Sequence, residues 1–255
     1  MEGVQQMSKF TKIGMMLVLS VILISGQALA ADDLAQVDGL DDQRTIANYS
    51  KSLELCEKIL KAQPNNFEAN WKAARSCRWY GELTKRTGVK GWEDVCAEYG
   101  KKGMGFAQKA IDLKPDRPEG YYWYGLNVGI YSDGVSIITA ITEGLKDKTQ
   151  GSFEKVYEID KQFEKAGSIL ALGRFWAVLP WPMNDKEKSL KYYREYQKTQ
   201  YFGNPHAEGP LYLAELLSDM GGDDNINEAK KLLADLKTDR KYFQDYAKRL
   251  MKGLD

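Results

Sequence analysis

The sequence predicts an all-α fold in which helical hairpins stack side by side into a short superhelix. Three observations predict it. Ser52, Cys56, Ile59 and Pro64 stand four, three and five residues apart, and Gly103, Ala107, Ala110 and Pro115 repeat those intervals. Asn70, Ala73, Ala74 and Cys77 follow Pro64 at the same offsets at which Tyr121, Tyr124, Gly125 and Val128 follow Pro115. No window alternates apolar and polar residues for long enough to make a strand. Small residues three and four apart share one face of a helix, so a second helix can approach that face closely. A proline then ends the helix, because it lacks the N–H and clashes with the preceding turn.

Helix–turn–helix units with this spacing are of the tetratricopeptide-repeat (TPR) type. The expected fold is therefore a set of degenerate TPR hairpins over residues 42–253. The positions expected to hold the helices together are Ser52, Ile59, Ala73, Ala74, Gly103, Ala107, Ala110, Tyr124, Gly125, Leu172, Gly173, Ala214 and Ala229. Tyr121 is expected in the packing beside Tyr124.

Each element follows in order. Residues 1–30 read as a secretory signal peptide: Lys9 and Lys12, then the apolar run Ile13–Ser25, then Ala28-Leu29-Ala30 as the cleavage site. The alternative is an uncleaved N-terminal membrane anchor, for which the run is short, since a span needs about 20 residues. No cysteine stands near the cleavage site, so a lipid anchor is not expected. Residues 31–41 are acidic and small and are expected to be flexible. Asp41 or Asp42 is expected to cap a helix carrying Ile46, Tyr49, Leu53, Cys56 and Leu60. Pro64-Asn65-Asn66 makes a turn, and the next helix covers about 67–83.

The period then breaks. Pro64 and Pro115 are 51 residues apart, 17 more than the 34 of a plain TPR. The surplus, marked by Gly88, Gly91 and Trp92, reads either as a binding loop or as longer helices with a solvated loop. A tyrosine-rich helix follows over 118–132, stopped by Asp133-Gly134. Val135, Ile137, Ile138, Ala140 and Ile141 form a short apolar helix, expected inside the array or in a partner interface. Residues 145–152 read as loop.

The third repeat drifts, with Phe153 and Val156 at apolar sites and Lys161 in place of the proline. Ile169, Leu172, Gly173 and Trp176 restore the pattern, and Leu179-Pro180-Trp181-Pro182 breaks it. Asn184 or Asp185 caps a helix with Ser189, Tyr193 and Tyr196. After the 202–205 loop, Leu213, Ala214 and Leu217 open the last hairpin. Gly221-Gly222 turns it, and Ala229, Leu233 and Leu236 complete it. A final helix over 238–253 shields the end.

The chain has 36 basic and 36 acidic residues and one histidine. Without residues 1–30, which hold Glu2, Lys9 and Lys12, 34 basic and 35 acidic residues remain. That balance argues against nucleic acid and anionic membrane surfaces as partners. With His206 alone, in a loop, histidine-based nucleophilic catalysis and multi-histidine metal sites are excluded by counting. Gly103-Met104-Gly105 lacks the third glycine of a dinucleotide loop. No metal or cofactor is expected. Cys56, Cys77 and Cys96 have no C-x-x-C spacing; Cys56 and Cys77 read either as a disulfide or as two small buried thiols.

The binding candidates are Tyr122, Asn127, Arg174 and Trp181, which fall between the packing positions or beside the helix-breaking prolines. Aromatic side chains give large contact area with a polar tip. Arg174 reads either as a ligand contact or as the partner of a carboxylate on a neighbouring helix.

The run Ala171-Leu172-Gly173-Arg174-Phe175-Trp176-Ala177-Val178-Leu179-Pro180-Trp181-Pro182, with Asn184–Leu190 after it, resembles the T component of TPR-associated TRAP transporters. The Trp123-Tyr124-Gly125 helix and the Gly129–Ile141 segment are similar too, and the resemblance spans about 42–240. It implies an exported all-helical TPR protein that associates with a periplasmic solute-binding subunit. It also implies oligomers with a central pore and an apolar ligand surface. The expected function is thus a periplasmic, non-catalytic adaptor that binds a partner protein. A carrier of a small apolar ligand in an aromatic groove is the first alternative, and an unrecognised enzyme the second.

Overall fold

Helices flank Pro64 and Pro115 as the spacing requires, in a computed structural model that describes residues 32–203 and 206–254. The signal-peptide expectation for residues 1–30 lies outside the described residues. In order the helices are α1 (32–42), α2 (Ile46–Ala62), α3 (Phe67–Arg86), α4 (Trp92–Leu113), α5 (Pro118–Gly134) and α6 (Ile137–Thr142). Then come α7 (Leu145–Ile159), α8 (Phe163–Val178), α9 (Lys186–Gln197), α10 (Glu208–Met220), α11 (Asp223–Ala234) and α12 (Lys241–Lys252). Among the described residues there is no strand, only an isolated bridge between Gly203 and His206. None of the described helices is long and apolar enough to cross a membrane.

Local chemistry sets the ends. Thr45, Asn66, Ser136 and Asp185 each cap a helix by accepting a backbone N–H three residues on. For α2 the cap is Thr45, not Asp41 or Asp42, because those two residues belong to the preceding helix. Pro118 sits in the first turn of α5, where its missing N–H costs nothing.

Packing follows the small residues. A Cβ on Gly103 would lie 2.0 Å from Asn127 Oδ1, and one on Gly125 would lie 3.0 Å from the Phe153 ring. Ser52, Ile59, Ala73, Ala74, Ala107, Ala110, Leu172, Ala214 and Ala229 are all buried. Tyr124 is only half-buried, and Tyr121, also half-buried, donates its hydroxyl to Pro115 O; Trp123 and Val128 fill the core beside them. The largest apolar cluster joins α9 to α12 through Tyr193, Leu211, Leu213, Leu217, Leu233 and Phe243.

Two expectations are corrected and two alternatives are decided. Residues 31–41 were expected to be flexible, yet 32–42 form α1 and the array starts there. Three of the four acidic residues of 31–41 make ion pairs: Asp33 with Lys58 at 2.9 Å, Asp38 with Lys72 at 2.7 Å and Arg75 at 2.8 Å, Asp41 with Arg75 at 2.7 Å. Val37 meanwhile enters the core with Leu53, Cys56, Ala73 and Cys77. The surplus in the second repeat goes into helix: α3 has 20 residues and α4 has 22, joined by a short loop in which Gly88 and Gly91 take positive φ. Residues 145–152 are the first half of α7, whose Leu145, Ser152, Phe153 and Val156 face inward at helical spacing. Finally, α6 is not inside the array: it has no buried residue, and Ile137, Ile138 and Ile141 are 56%, 70% and 61% exposed.

All three cysteines are free and buried, which decides the Cys56–Cys77 alternative for packed thiols. Burial pushes the Cys56 thiol up to about 12, far from the reactive thiolate range.

Candidate binding groove

Helices α1, α3, α5, α8, α10 and α12 form an inner row, and side-chain contacts link that row into a circuit. Arg75 of α3 pairs with Asp38 and Asp41 of α1. Asn127 Nδ2 of α5 donates to Ala74 O of α3 at 2.9 Å. Tyr122 of α5 meets Phe163 at the start of α8, with ring centroids 5.5 Å apart. Arg174 of α8 pairs with Glu215 of α10. Arg240, at the start of α12, lies 3.9 Å from Glu208 of α10. The circuit closes where Arg86 of α3 stacks on Tyr242 and Phe243 of α12, 4.7 and 5.4 Å from their ring centres. The last helix thus returns to the third, and α3, α5, α8, α10 and α12 form one ring of contacts.

One wall carries a charged ladder. Arg78, Glu82 and Arg86 stand four residues apart on α3, a spacing that places them on one helix face. Arg78 Nη1 and Arg86 Nε each donate to Glu82, both at 2.6 Å. Burial acts to raise the Glu82 carboxyl, but the charges of Arg78 and Arg86 outweigh it and hold it at about 2. Opposite, Arg174 gives Nη1 to Glu215 and lies over the Tyr212 ring at 4.6 Å. Trp71 carries Arg75 at 5.0 Å and Trp79 carries Arg78 at 5.6 Å.

The entry to α8 is strained. Glu164, Lys165 and Ala166 take φ of 47°, 62° and 59°, three successive non-glycine residues in the left-handed region. Each disfavours that conformation, and left-handed turns in L-residues cost about 1–2 kcal/mol per residue. The turn is held by Ala166 N donating to Gln162 O and by Ala166, fully buried, packing with Ile169 and Tyr196. Next to it, Gly167 leaves room for Tyr122: a Cβ there would lie 2.3 Å from the Tyr122 hydroxyl.

Of the predicted site residues, the structure brings Tyr122 and Arg174 to the inner row and leaves two elsewhere. Asn127 is fully buried and bonds Ala74 O and Trp123 O, so it is a packing residue, not a groove contact. Trp181 is 86% exposed in the α8–α9 loop, beyond the helix end and apart from the groove. Arg174 takes the carboxylate-partner alternative through Glu215. The Arg78–Glu82–Arg86 ladder, Tyr212 and Glu215 were missed; the i, i+4 charge pattern flanked by Trp71 and Trp79 was the signal that marked the ladder. His206 stacks edge-on with Tyr201 at 6.2 Å, and burial holds its imidazole below the usual range.

The family described as regulator of microtubule dynamics protein 1-3 matches residues 33–175, more than half of the 255-residue chain. The chain belongs to this family. In this regulator of microtubule dynamics family member, the matched stretch runs from α1 into α8 and so contains the Arg78–Glu82–Arg86 ladder, Tyr122 and Arg174. Among solved structures the chain is similar to TTC0263, a thermophilic TPR protein in Thermus thermophilus. Identity is 17% and the TM-score 0.57, over 88% of this chain and 98% of that one. MamA is similar at 16% identity and a TM-score of 0.49, over 80% and 91% of the two chains. The likeness to TTC0263 is one of fold, and it agrees with the all-α TPR superhelix read from the repeat spacing. No curated protein matches the sequence.

Proposed function

We propose that this chain is a non-catalytic scaffold that holds a partner protein in the groove enclosed by α3, α5, α8, α10 and α12. The single observation that carries the reading is the closed circuit of inner-row contacts, completed by Arg86 against Tyr242 and Phe243. Such a wall is concave and mixes half-buried aromatic rings with paired charges, which is what specific protein recognition uses. A small apolar ligand fits it less well: Arg78, Glu82, Arg86, Arg174 and Glu215 would each lose water against it without gaining a hydrogen bond. From the family's description we carry over a regulatory binding role and no particular target.

A narrower reading makes the protein an exported adaptor for the solute-binding subunit of a TRAP-type transporter, with assembly into oligomers. It is supported by the Leu172-Gly173-Arg174 to Pro182 run and by the charged, apolar and small-residue plan of residues 1–30. Fractionation of cells expressing the full chain, with N-terminal sequencing of the product, tests the export half. Recovery in the periplasm starting at Ala31 supports it, and a cytoplasmic product starting at Met1 removes it.

The scaffold itself is tested by capture from extract with the wild-type chain, a Trp79→Ala/Tyr122→Ala variant and an Ile138→Ser/Trp181→Ser variant. The reading predicts a dominant partner lost with the groove variant and kept with the rim variant. The reverse pattern would move the binding face to the α6 edge.

A further inference from the structure

We propose that the part of the groove shared by α3, α8, α10 and α12 is a carboxylate-binding site. The proposal rests on the scaffold reading and gives its groove a ligand chemistry.

The argument is an inventory of unmade hydrogen bonds. Arg86 spends Nε on Glu82 and stacks on Tyr242 and Phe243; its two terminal nitrogens have no partner among the described residues. Arg78 spends Nη1 on Glu82, and its buried Nε is unpartnered. Arg174 spends Nη1 on Glu215. Tyr193 is fully buried, and its hydroxyl lies beside Arg174 and Glu215. Its ring reaches that position because Gly173 has no side chain: a Cβ there would stand 2.5 Å from the Tyr193 ring. Tyr212 lies between the two sides, in the fields of both Arg174 and Arg86.

Every unfilled group in this set is a donor. The acceptors are in use: Glu82 is bonded by two arginines, Glu215 by Arg174, and Glu208 faces Arg240. A site with spare guanidinium donors selects a group that only accepts, and guanidinium suits a planar carboxylate. Geometry favours carboxylate over phosphate: a planar guanidinium offers two parallel N–H donors that match the two oxygens of a carboxylate. Tyr212, Tyr242 and Phe243 beside the donors give the ligand an apolar or aromatic flank.

A carboxylate reaches such a site either on a polypeptide, as an acidic side chain or chain end, or as a free small acid. Isothermal titration of the full chain separates these with four probes: benzoate, inorganic phosphate, an acetylated hexapeptide ending in Phe-Glu with a free carboxyl terminus, and the same peptide with Gln and a terminal amide. Binding of benzoate or of the acidic peptide is expected, each identifying its source, with no heat from the amide peptide and weaker binding of phosphate. Arg86→Gln should weaken the binding at least tenfold. Arg174→Lys, which keeps the charge but loses the planar fork, should weaken it by a smaller factor. Arg174→Lys should melt within a few degrees of wild type, and Arg86→Gln, which removes one arm of the Glu82 clamp, is titrated at a temperature where circular dichroism shows it fully folded. Equal binding of the amide peptide, phosphate as the tightest probe, unchanged affinity in both variants, or no binding of either carboxylate overturns the proposal. Capture of a partner through Trp79 and Tyr122 that persists in Arg86→Gln would leave the scaffold standing while this site falls.

Discussion

Asn127 occupies the space that a side chain at Gly103 would need: a Cβ on Gly103 would lie 2.0 Å from its Oδ1, while its Nδ2 donates to Ala74 O at 2.9 Å and Trp123 O at 2.7 Å. One amide thus ties α3, α4 and α5 together. Asn127→Ala should cost about 1–3 kcal/mol, because two buried carbonyls lose an added partner and a cavity opens. Urea unfolding measures it; a variant as stable as wild type contradicts the locking role.

Gly173 and Gly129 make a matched pair. Gly173→Leu would drive a side chain into the fully buried Tyr193 ring, 2.5 Å from where its Cβ begins, and should cost about 1–3 kcal/mol. Gly129 has open space around it within α5. Gly129→Ala should be neutral or stabilise by about 0.5–1 kcal/mol through reduced unfolded-state freedom. Thermal melts that rank the two variants the other way would show that the helix register in α8 is wrong.

Asp38 docks α1. It binds Lys72, whose side chain is only 4% exposed, and Arg75, while being half exposed itself. Asp38→Ala leaves Lys72 with Glu68 at 2.8 Å and the Leu34 carbonyl at 3.4 Å, and should cost about 1 kcal/mol, since one partner is solvated. Removing residues up to 42 should cost more, because Val37 leaves the core with it. Hydrogen exchange gives a direct view: amides of 36–42, beyond the unbonded first turn of α1, should be protected, and exchange as fast as in a free peptide would contradict the docking.

The arginine clamp on Glu82 sets an acid limit. Its folded pKa is held at about 2, below the ordinary 4.5, so the stabilisation is complete above about 4.5 and is lost as pH falls toward 2. That shift corresponds to at most about 3 kcal/mol. Urea midpoints measured from pH 6 to pH 2 should fall over this window in the wild type and more gently in Glu82→Gln, which should be the less stable protein at pH 6. Parallel curves would show that Glu82 is not clamped.

How much of this was legible follows from what each residue does. The hairpins from α2 to α5 were visible because Ala73, Gly103 and Gly125 act through size alone, and size is written in the sequence. By contrast, α1 was misread because Asp33, Asp38 and Asp41 look like solvated charges until their partners on α2 and α3 are placed. The start of α7 was misread because its inward residues, Leu145 and Ser152, are seven apart with polar residues between. Asn127 looked like a groove residue because a polar side chain among small ones is ambiguous until its amide is seen on Ala74 O and Trp123 O. The closing of α12 onto Arg86 depends on the sum of all helix crossings, which no local pattern encodes.

The groove as the binding face is tested most directly by photo-crosslinking in the native cell, with p-benzoylphenylalanine placed at Tyr122, at Tyr212 and at the exposed Lys191 of α9. The account predicts a common adduct from Tyr122 and Tyr212 and none from Lys191. An adduct from Lys191 with silence at both groove positions would contradict it.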